Sequence, residues 1–285
     1  MNNENVTNNL FYSKDYDRMY VPLRFAQRVT GHVILNFLND NHFFTPPLYL
    51  AIEGSPGQGK TLQTIAACNK KKIAVKYVSA SLLSGQREGD SREALERVYN
   101  EALELVSQKT YTCILIDDFH MGNAAVDDKT NRTINSGLLI GYMMNLAESI
   151  NEYRIPIILT GNDFSNVYPA LIRNGRADIF LWEPTNREKF QIIKALYEPI
   201  LQEKEIKKLY TFFRKYSNEN IAFFSQLIND WRRFYINEII TKLEVVSEES
   251  LKAVSTEISH NLPKVTIQEL NELALQRSRE RKGRC

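Results

Sequence analysis

Cysteine is scarce in this chain, with Cys68, Cys113 and Cys285 as its three representatives among 285 residues. None of them has the close spacing of a metal-ligand motif, and an odd number cannot form a complete set of disulfides within one chain. The four histidines are scattered singly, so they form no ligand cluster either. These shortages argue against a metal domain or a disulfide scaffold. They favour a reducing compartment, and we therefore expect a cytoplasmic protein.

An excess of charge of one sign is also missing, since 36 Lys and Arg residues face 34 Asp and Glu residues, a formal net charge of +2. No whole-chain field would draw the protein to nucleic acid or to an anionic membrane. Apolar runs of bilayer length are absent from the sequence, and the first residues lack the cationic start and apolar block of a signal peptide. We expect neither membrane association nor export.

The composition that remains is that of a folded protein, with 43% hydrophobic and 25% charged residues. The length allows one large domain with a smaller one appended. Residues 1–19 are polar and show no hydrophobic period, which predicts a flexible arm. Apolar residues between Tyr20 and Leu38 recur at helical spacing, which predicts one amphipathic helix leading into the core.

Short apolar runs alternate with segments of helical period in the next part of the chain. This alternation predicts a parallel sheet covered by helices on both faces, the architecture of an α/β fold. The predicted strands are Leu48–Ile52, Ile73–Val78, Cys113–Ile116 and Ile155–Leu159. The predicted helices between them include Arg92–Val106 and Leu138–Ile150.

The strand signals stop after Trp182, and helical patterns follow to the end of the chain. Thr185 and Glu188 have the spacing of a capping box that opens a helix, as do Thr266 and Glu269. The further helical segments are Lys189–Tyr197, Ile206–Tyr216, Ile221–Leu243 and Thr266–Arg279. We therefore predict an α/β domain over residues 20–183, a helical domain over 184–281 and a basic end over 282–285.

The segment after the first predicted strand fits the eight-position Walker A pattern and precedes a helix. It reads Gly54-Ser55-Pro56-Gly57-Gln58-Gly59-Lys60-Thr61, and Leu62 continues it into the helix. Its glycines let backbone N–H groups turn towards phosphate oxygens, and the helix N-terminus adds partial positive charge. We expect these residues to bind ATP or GTP, with Lys60 at the β- and γ-phosphates and Thr61 as a ligand of Mg²⁺. A glycine-rich turn that binds nothing is the alternative, but a chance match with both flanks is rare.

Two acids, Asp117 and Asp118, end the apolar run Cys113–Ile116. A Walker B strand ends in this way, because the strand end delivers carboxylates beside the phosphate loop. We expect Asp117 to hold Mg²⁺, directly or through water, and Asp118 to orient the attacking water. Taken alone, two acids after a strand are more often a turn or a helix cap. The upstream Walker A segment favours the functional interpretation.

Asn162 follows another apolar strand, in the run Thr160-Gly161-Asn162-Asp163. At the strand end it is placed to hydrogen-bond the γ-phosphate or the attacking water, the role called sensor 1. Asn-Asp after Gly is also ordinary turn chemistry. The order of the motifs along the chain favours the sensor hypothesis.

Arg173 and Arg176 lie in a segment, residues 169–178, whose pattern predicts a short helix ended by Asn174-Gly175. We expect both guanidinium groups to point out of the subunit. In a ring they would meet the ATP of the neighbouring subunit and stabilise the charge that develops during phosphoryl transfer. Surface salt bridges are the alternative.

Together these elements resemble the AAA+ family, and within it the residues of several motifs resemble those of Rubisco activase most. The matching stretches are residues 57–60, Ser84-Gly85, residues 160–165 and Leu171-Ile172-Arg173-Asn174-Gly175-Arg176, with further likeness at 221–224 and 263–267. The resemblance implies a five-stranded αβα sandwich followed by a small helical lid. It also implies ATP and Mg²⁺ as cofactors, a hexameric ring, and mechanical work on a protein client passed to the central pore.

Some positions depart from that family. Asp118 stands where AAA+ proteins usually have Glu, one methylene longer, and Asp117 stands where plant activases have Asn. The position of the sensor 2 arginine holds Ile228, Asn229 or Asp230, with Arg232 or Arg233 as possible substitutes. The first pore loop, within residues 83–89, lacks an aromatic residue. About twenty polar residues stand where plant activases have an N-terminal domain that engages the substrate. The resemblance therefore does not predict which protein is the client.

Our leading hypothesis is an Mg-ATP hydrolase whose ring remodels a protein partner. Lys60, Thr61, Asp117, Asp118 and Asn162 would act within a subunit, and the two arginines between subunits. One alternative is an ATP-dependent switch or scaffold with slow hydrolysis, which Asp118 would permit. Another is a nucleic-acid-associated ATPase, supported only by the basic tail 277–285.

Overall fold

The computed structural model describes residues 10–11, 16, 19–38, 45–83, 89–119, 134–149, 154–241, 245–261 and 263–282. The chain divides into two compact units, Met1–Glu183 and Pro184–Cys285. Within the described ranges, no helix combines the length and the apolar character needed to cross a membrane.

The first unit contains a six-stranded sheet, of which five strands are parallel. The strands are β1 (Leu10–Phe11), β2 (Tyr49–Glu53), β3 (Ala74–Ser79), β4 (Thr112–Asp117), β5 (Ile157–Gly161) and β6 (Ala177–Leu181). Their order across the sheet is β1-β3-β4-β5-β2-β6. The predicted five-stranded parallel sheet is confirmed. Its central strands β4, β5 and β2 are almost wholly buried, which explains their unbroken apolar runs.

The short strand β1 lies within residues 1–19, for which the sequence predicted a flexible arm, and corrects that prediction at two residues. Leu10 and Phe11 pair antiparallel with Lys76 and Val75 at the edge of the sheet. An edge strand presents unpaired backbone groups, and two residues of the arm satisfy some of them. Two residues are too short a run to carry a strand signal in the sequence.

Helices cover the sheet of the first unit. They are α1 (Leu23–Phe37), α2 (Lys60–Asn69), α3 (Asp90–Ser107) and α4 (Ile134–Glu148), with a 3₁₀ turn at Ala80–Leu83. Helix α3 buries Leu95, Tyr99 and Ala102 at helical spacing. Helix α1 places Phe25 against Trp182, at 4.7 Å between ring centroids.

The second unit is helical, as predicted. Its helices are α5 (Asn186–Tyr197), α6 (Glu203–Ile206), α7 (Leu209–Lys215), α8 (Ile221–Ile240), α9 (Glu248–Asn261) and α10 (Ile267–Lys282). Both predicted capping boxes are present, Thr185 with Glu188 and Thr266 with Glu269. The core is largely aromatic, with Phe224 packed against the rings of Phe212 and Phe213.

The predicted short helix over residues 169–178 is wrong. The chain there makes successive turns, with hydrogen bonds from Leu171 N–H to the Tyr168 carbonyl and from Arg176 N–H to the Arg173 carbonyl, and then enters β6. Gly175 has a φ of +92°, as a residue at a helix end often does, but turns rather than a helix precede it. Pairing of β6 with β2 draws in residues that the local pattern assigned to a helix end.

Candidate nucleotide-binding site

The loop between β2 and α2 has the geometry of an anion-binding turn. Gly57 and Gly59 have φ of +74° and +78°, in the left-handed region that glycine adopts most easily. Gly54 sits where a Cβ atom would lie 2.1 Å from the Trp182 carbonyl oxygen. Because helix α2 begins directly at Lys60, its N-terminal N–H groups face the same turn.

Lys60 is held inside this turn. Its Nζ donates to the Gly54 carbonyl at 2.7 Å, to the Ser55 carbonyl at 3.1 Å and to Oδ1 of Asn162 at 3.0 Å. Burial lowers the pKa of Lys60, and the carboxylates of Asp118, Glu183 and Asp117 act in the opposite direction. The fold therefore joins the predicted phosphate-binding lysine to the predicted sensor.

Asp117 receives hydrogen bonds from hydroxyl groups on separate elements. Thr61 donates to Oδ1 at 2.6 Å, Thr160 also donates to Oδ1, and Tyr77 donates to Oδ2 at 3.1 Å. Burial, and next the Asp117 charge, raise the pKa of Tyr77 to about 12, so its phenol keeps its proton. The predicted pair Thr61 and Asp117 is thus in direct contact.

Asp118 lies immediately beyond β4 with an unusual backbone. Its φ of +52° is in the left-handed region, which costs a non-glycine residue about 1 kcal/mol, although Asp tolerates it better than most. Its N–H donates to the Thr160 hydroxyl at 3.3 Å. Because of this left-handed backbone, the chain turns away from the direction of β4 at Asp118.

The end of β6 supports the loop from behind. Glu183 Oε1 accepts from the Ser55 N–H at 2.6 Å and from the Ser55 hydroxyl at 2.5 Å. The Trp182 indole N–H donates to the Gln58 carbonyl at 3.0 Å. Of the predicted loop residues, Gln58 is buried, whereas Pro56 and Leu62 are exposed.

The two arginines differ in their surroundings, and this corrects the expectation that both point outward. Arg176 is buried: Nε donates to Glu148 Oε1 at 3.2 Å, Nη2 donates to the same oxygen, and Nη1 donates to the Ala170 carbonyl at 2.6 Å. Arg173 is 60% exposed and reaches Glu148 at 3.4 Å. Hydrogen bonding to Arg176 holds the pKa of Glu148 below its usual value. Arg173 is therefore the outward-facing member of the pair.

The residues present fit a nucleoside triphosphate with Mg²⁺. Mg²⁺ prefers oxygen ligands and commonly takes one or two from protein, with the rest from phosphates and water. Thr61 and Asp117 offer a hydroxyl and a carboxylate oxygen 2.6 Å apart. Lys60 and the loop N–H groups supply the positive potential that phosphates need.

The sequence motifs did not predict four residues that support the site: Tyr77, Thr160, Glu183 and Glu148. Their contacts depend on strand register and on long-range packing, which the local sequence does not display. Of these four, only Thr160 could have been suspected from the sequence, because it lies at the end of the strand that Asn162 follows. Residues 84–88 of the predicted first pore loop, which was placed within 83–89, lie outside the described residues, as do His120 and the tail end 283–285.

The sensor 2 alternatives lie on α8 in the second unit. Ile228 is buried, and Asp230 accepts hydrogen bonds from Arg277, a member of the basic tail. Arg232 and Arg233 are exposed. Asp230 is therefore engaged within its own unit.

Comparison with known proteins agrees with this geometry. Residues 50–185 match the family described as ATPase family associated with various cellular activities (AAA). The chain is 34% identical to a ribulose bisphosphate carboxylase/oxygenase activase of Nostoc over 238 residues, covering 79% of this chain and 56% of that protein. It is 28% identical to an activase 2 of Nicotiana tabacum over 275 residues, covering 90% of this chain and 61% of that protein.

Together with the fold and the phosphate loop, this match identifies residues 50–185 as a domain of the AAA ATPase family. The chain is similar to ribulose bisphosphate carboxylase/oxygenase activases from a cyanobacterium and a plant. It spans 56% and 61% of the length of these two relatives, so their whole activity is not carried over by the match alone.

Proposed function

We propose that this chain binds ATP with Mg²⁺, hydrolyses it as part of a hexameric ring, and uses the turnover to remodel a protein client. The observation that carries the proposal is the pair of contacts in the loop. Lys60 joins the loop carbonyls to Asn162, and Thr61 joins the loop helix to Asp117. These contacts bring four sequence-predicted residues into one site.

Each side chain has a separate task in this proposal. Residues 54–62 cradle the phosphates, and Lys60 neutralises charge on the β- and γ-phosphates. Thr61 and Asp117 hold Mg²⁺, which would neutralise charge on the phosphate oxygens. Asp118 orients the attacking water, and Asn162 stays within reach of Lys60 to report the γ-phosphate.

Arg173 is the residue we propose to act on the nucleotide of a neighbouring subunit. Its exposure supports this role, since a guanidinium must leave its own subunit to reach that site. Arg176 is proposed to act in the same process through Glu148, which both arginines contact. Activity would then depend on assembly.

The ring and the client rest on similarity. The relatives are named as activases of ribulose bisphosphate carboxylase/oxygenase, and this chain spans little more than half of the Nostoc protein. We propose that residues 20–183 form the nucleotide-binding domain and residues 184–281 the helical lid. Many ATPases of this class act on a protein client, and capture experiments would identify the client of this chain.

A reducing compartment such as the cytoplasm is part of the proposal. Cys68 and Cys113 are buried thiols with their sulfur atoms 3.8 Å apart, and they are not joined as a disulfide. The hydrogen bond with Cys113, and next burial, raise the pKa of Cys68, so the thiol stays protonated and unreactive.

The test of ATP use compares Lys60→Ala with Lys71→Ala. Lys71 is exposed just after the same helix and serves as the matched control. We expect Lys60→Ala to weaken ATP affinity at least about tenfold, roughly 1.4 kcal/mol, and to abolish phosphate release, while Lys71→Ala behaves like wild type. Phosphate release is followed at rising protein concentration. Equal affinity in both variants would refute the assignment of the loop.

The client is sought with Asp118→Asn, which should hold ATP without turnover. Affinity capture in ATP, with Lys60→Ala as the control, should retain the client only on Asp118→Asn. The same proteins on both variants would argue against ATP-gated client binding.

A slow ATP-dependent switch is the second candidate. The short side chain of Asp118, held on a left-handed backbone, favours it, because both features restrict how far the carboxylate reaches. Negligible phosphate release by wild type, with oligomer and client present, would favour the switch. The nucleic-acid alternative loses part of its support because Arg277 is occupied by Asp230.

A further inference from the structure

Thr160 lies at the point where regular pairing between β4 and β5 ends. The parallel register runs through Ile116 opposite Leu159, so the next residues along are Asp117 and Thr160. Thr160 is buried, with 1% of its surface exposed. Its hydroxyl therefore meets the strand end that carries both acids.

The single hydroxyl of Thr160 makes bonds to two consecutive acidic residues. It donates to Oδ1 of Asp117 and accepts from the N–H of Asp118 at 3.3 Å. A threonine hydroxyl has one proton to give and lone pairs to receive, so both bonds form at once. This arrangement uses the full donor capacity of the group.

Both acids depend on such support for different reasons. Asp117 offers Oδ1 to Thr61 as well, so the Thr160 bond fixes which way the carboxylate faces. Asp118 occupies an unfavourable left-handed backbone, and its N–H has left the regular ladder. The Thr160 hydroxyl gives the Asp118 N–H an acceptor in place of a strand-pairing carbonyl.

We propose that the Thr160 hydroxyl is a positioning group that sets the Asp117 carboxylate for Mg²⁺ and the Asp118 backbone for hydrolysis. This rests on the proposed function, in which Asp117 and Asp118 act on Mg-ATP. Thr160 also stands two residues before Asn162 on the same strand end. The same strand end therefore carries the predicted sensor and the hydroxyl that contacts both acids.

The simpler explanation is that Thr160 is a β-branched strand residue whose shape alone matters. Val has the same shape without the hydroxyl, and Ser has the hydroxyl without the methyl group. The two substitutions therefore separate the explanations. Thr112 supplies a matched control, since it is fully buried near the opposite end of β4 and donates to the Thr110 carbonyl at 2.8 Å.

The experiment measures three quantities in Thr160→Val, Thr160→Ser, Thr112→Val and wild type. They are the Mg²⁺ concentration that gives half-maximal binding of a fluorescent ATP analogue, kcat and KM for ATP, and the nucleotide-free melting temperature. We expect Thr160→Val to need several-fold more Mg²⁺ and to lose at least tenfold in kcat with a smaller change in KM. We expect Thr160→Ser to stay within about threefold of wild type, and Thr112→Val to change only the melting temperature.

The outcomes distinguish failure of the positioning role of Thr160 from failure of the proposed function on which it rests. Thr160→Val matching Thr112→Val in Mg²⁺ dependence and kcat would overturn the positioning role, and so would Thr160→Ser failing as badly as Thr160→Val. Wild-type protein that binds no nucleotide would instead overturn the proposed function and this role with it. If Thr160→Val does not fold, Thr160→Ala takes its place, and a hydroxyl role requires Thr160→Ser to exceed it in both kcat and Mg²⁺ affinity.

Discussion

The hydroxyl of Thr61 donates to Oδ1 of Asp117 over 2.6 Å, joining two residues that stand 56 positions apart in the chain. Thr61 is the second residue of helix α2, which follows β2, and Asp117 is the last residue of β4. In an open α/β sheet, ligands bind at the carboxyl ends of the strands, because the loops that follow them converge there. The contact shows that the start of helix α2 and the end of β4 meet, as the two predicted Walker segments require.

Gly54 is required by a backbone contact. We expect Gly54→Ala to lose most ATP affinity and to lower the melting temperature, because its Cβ would lie 2.1 Å from the rigid Trp182 carbonyl. Gly31→Ala is the control, since nothing lies within 4 Å of its Cβ in helix α1, and it should raise stability by about 0.5 kcal/mol. Thermal unfolding with and without ATP measures both. Wild-type ATP affinity in Gly54→Ala would contradict the close approach.

Asp118→Asn should separate nucleotide binding from hydrolysis. Asn accepts a left-handed backbone at least as well as Asp, so the fold at φ +52° is kept. The loss of the carboxylate should slow phosphate release at least about a hundredfold, in the range usual for removal of a general base. Equilibrium ATP binding and the melting temperature should remain as in wild type. Hydrolysis within twofold of wild type would remove Asp118 from the reaction.

Arg173 and Arg176 should differ when each is changed to Ala. Arg176→Ala removes buried bonds to Glu148 and Ala170 and should lower the melting temperature as well as activity. Arg173→Ala removes an exposed side chain and should leave the melting temperature unchanged while hydrolysis is lost. Both variants should still bind ATP. Comparable melting temperatures for the two variants would contradict the difference in burial.

Mixed assemblies test action between subunits. Arg173→Ala subunits keep an intact phosphate loop, and Lys60→Ala subunits keep Arg173. A mixture should regain part of the hydrolysis that each variant lacks alone, because one supplies the loop and the other the guanidinium. The two variants kept apart serve as the control. Activity of the mixture no higher than their sum would place Arg173 outside the neighbour's site.

Asp230 should make the stability of the second unit depend on pH. Its hydrogen bond from Arg277 holds the pKa of Asp230 below the usual value of 3.8. The stabilisation is therefore present above the unfolded-state pKa and is lost as the pH falls through the folded-state pKa. We expect Asp230→Asn to cost about 2 kcal/mol at neutral pH, with the difference from wild type shrinking below about pH 4.

Denaturant unfolding at several pH values measures this effect. Glu248→Gln is the control, because Glu248 pairs with Lys252 on an exposed face and should contribute less than about 0.5 kcal/mol. A difference between wild type and Asp230→Asn that stays constant down to pH 2 would exclude the ionised pair as its source.

Local patterns were enough to predict much of the fold. Strands β2 to β5 are buried on both faces, so each leaves an apolar run that needs no partner to be recognised. The start of strand β6 and the turn before it were predicted as a helix, because Gly175 and Asn174 resemble a helix end as much as a turn. Strand β1 was missed because its pairing partner, rather than its own two residues, makes it a strand.

The sequence by itself determined that the chain carries an AAA ATPase domain and predicted the chemistry of its loop, because the Walker A pattern and its flanks specify backbone geometry over a few consecutive residues. Only the tertiary structure decided which residues support that chemistry. Strand register brings Thr160 and Tyr77 to Asp117, and helix α4 brings Glu148 to Arg176. Equally, burial rather than motif separated Arg173 from Arg176, because exposure depends on how distant segments pack.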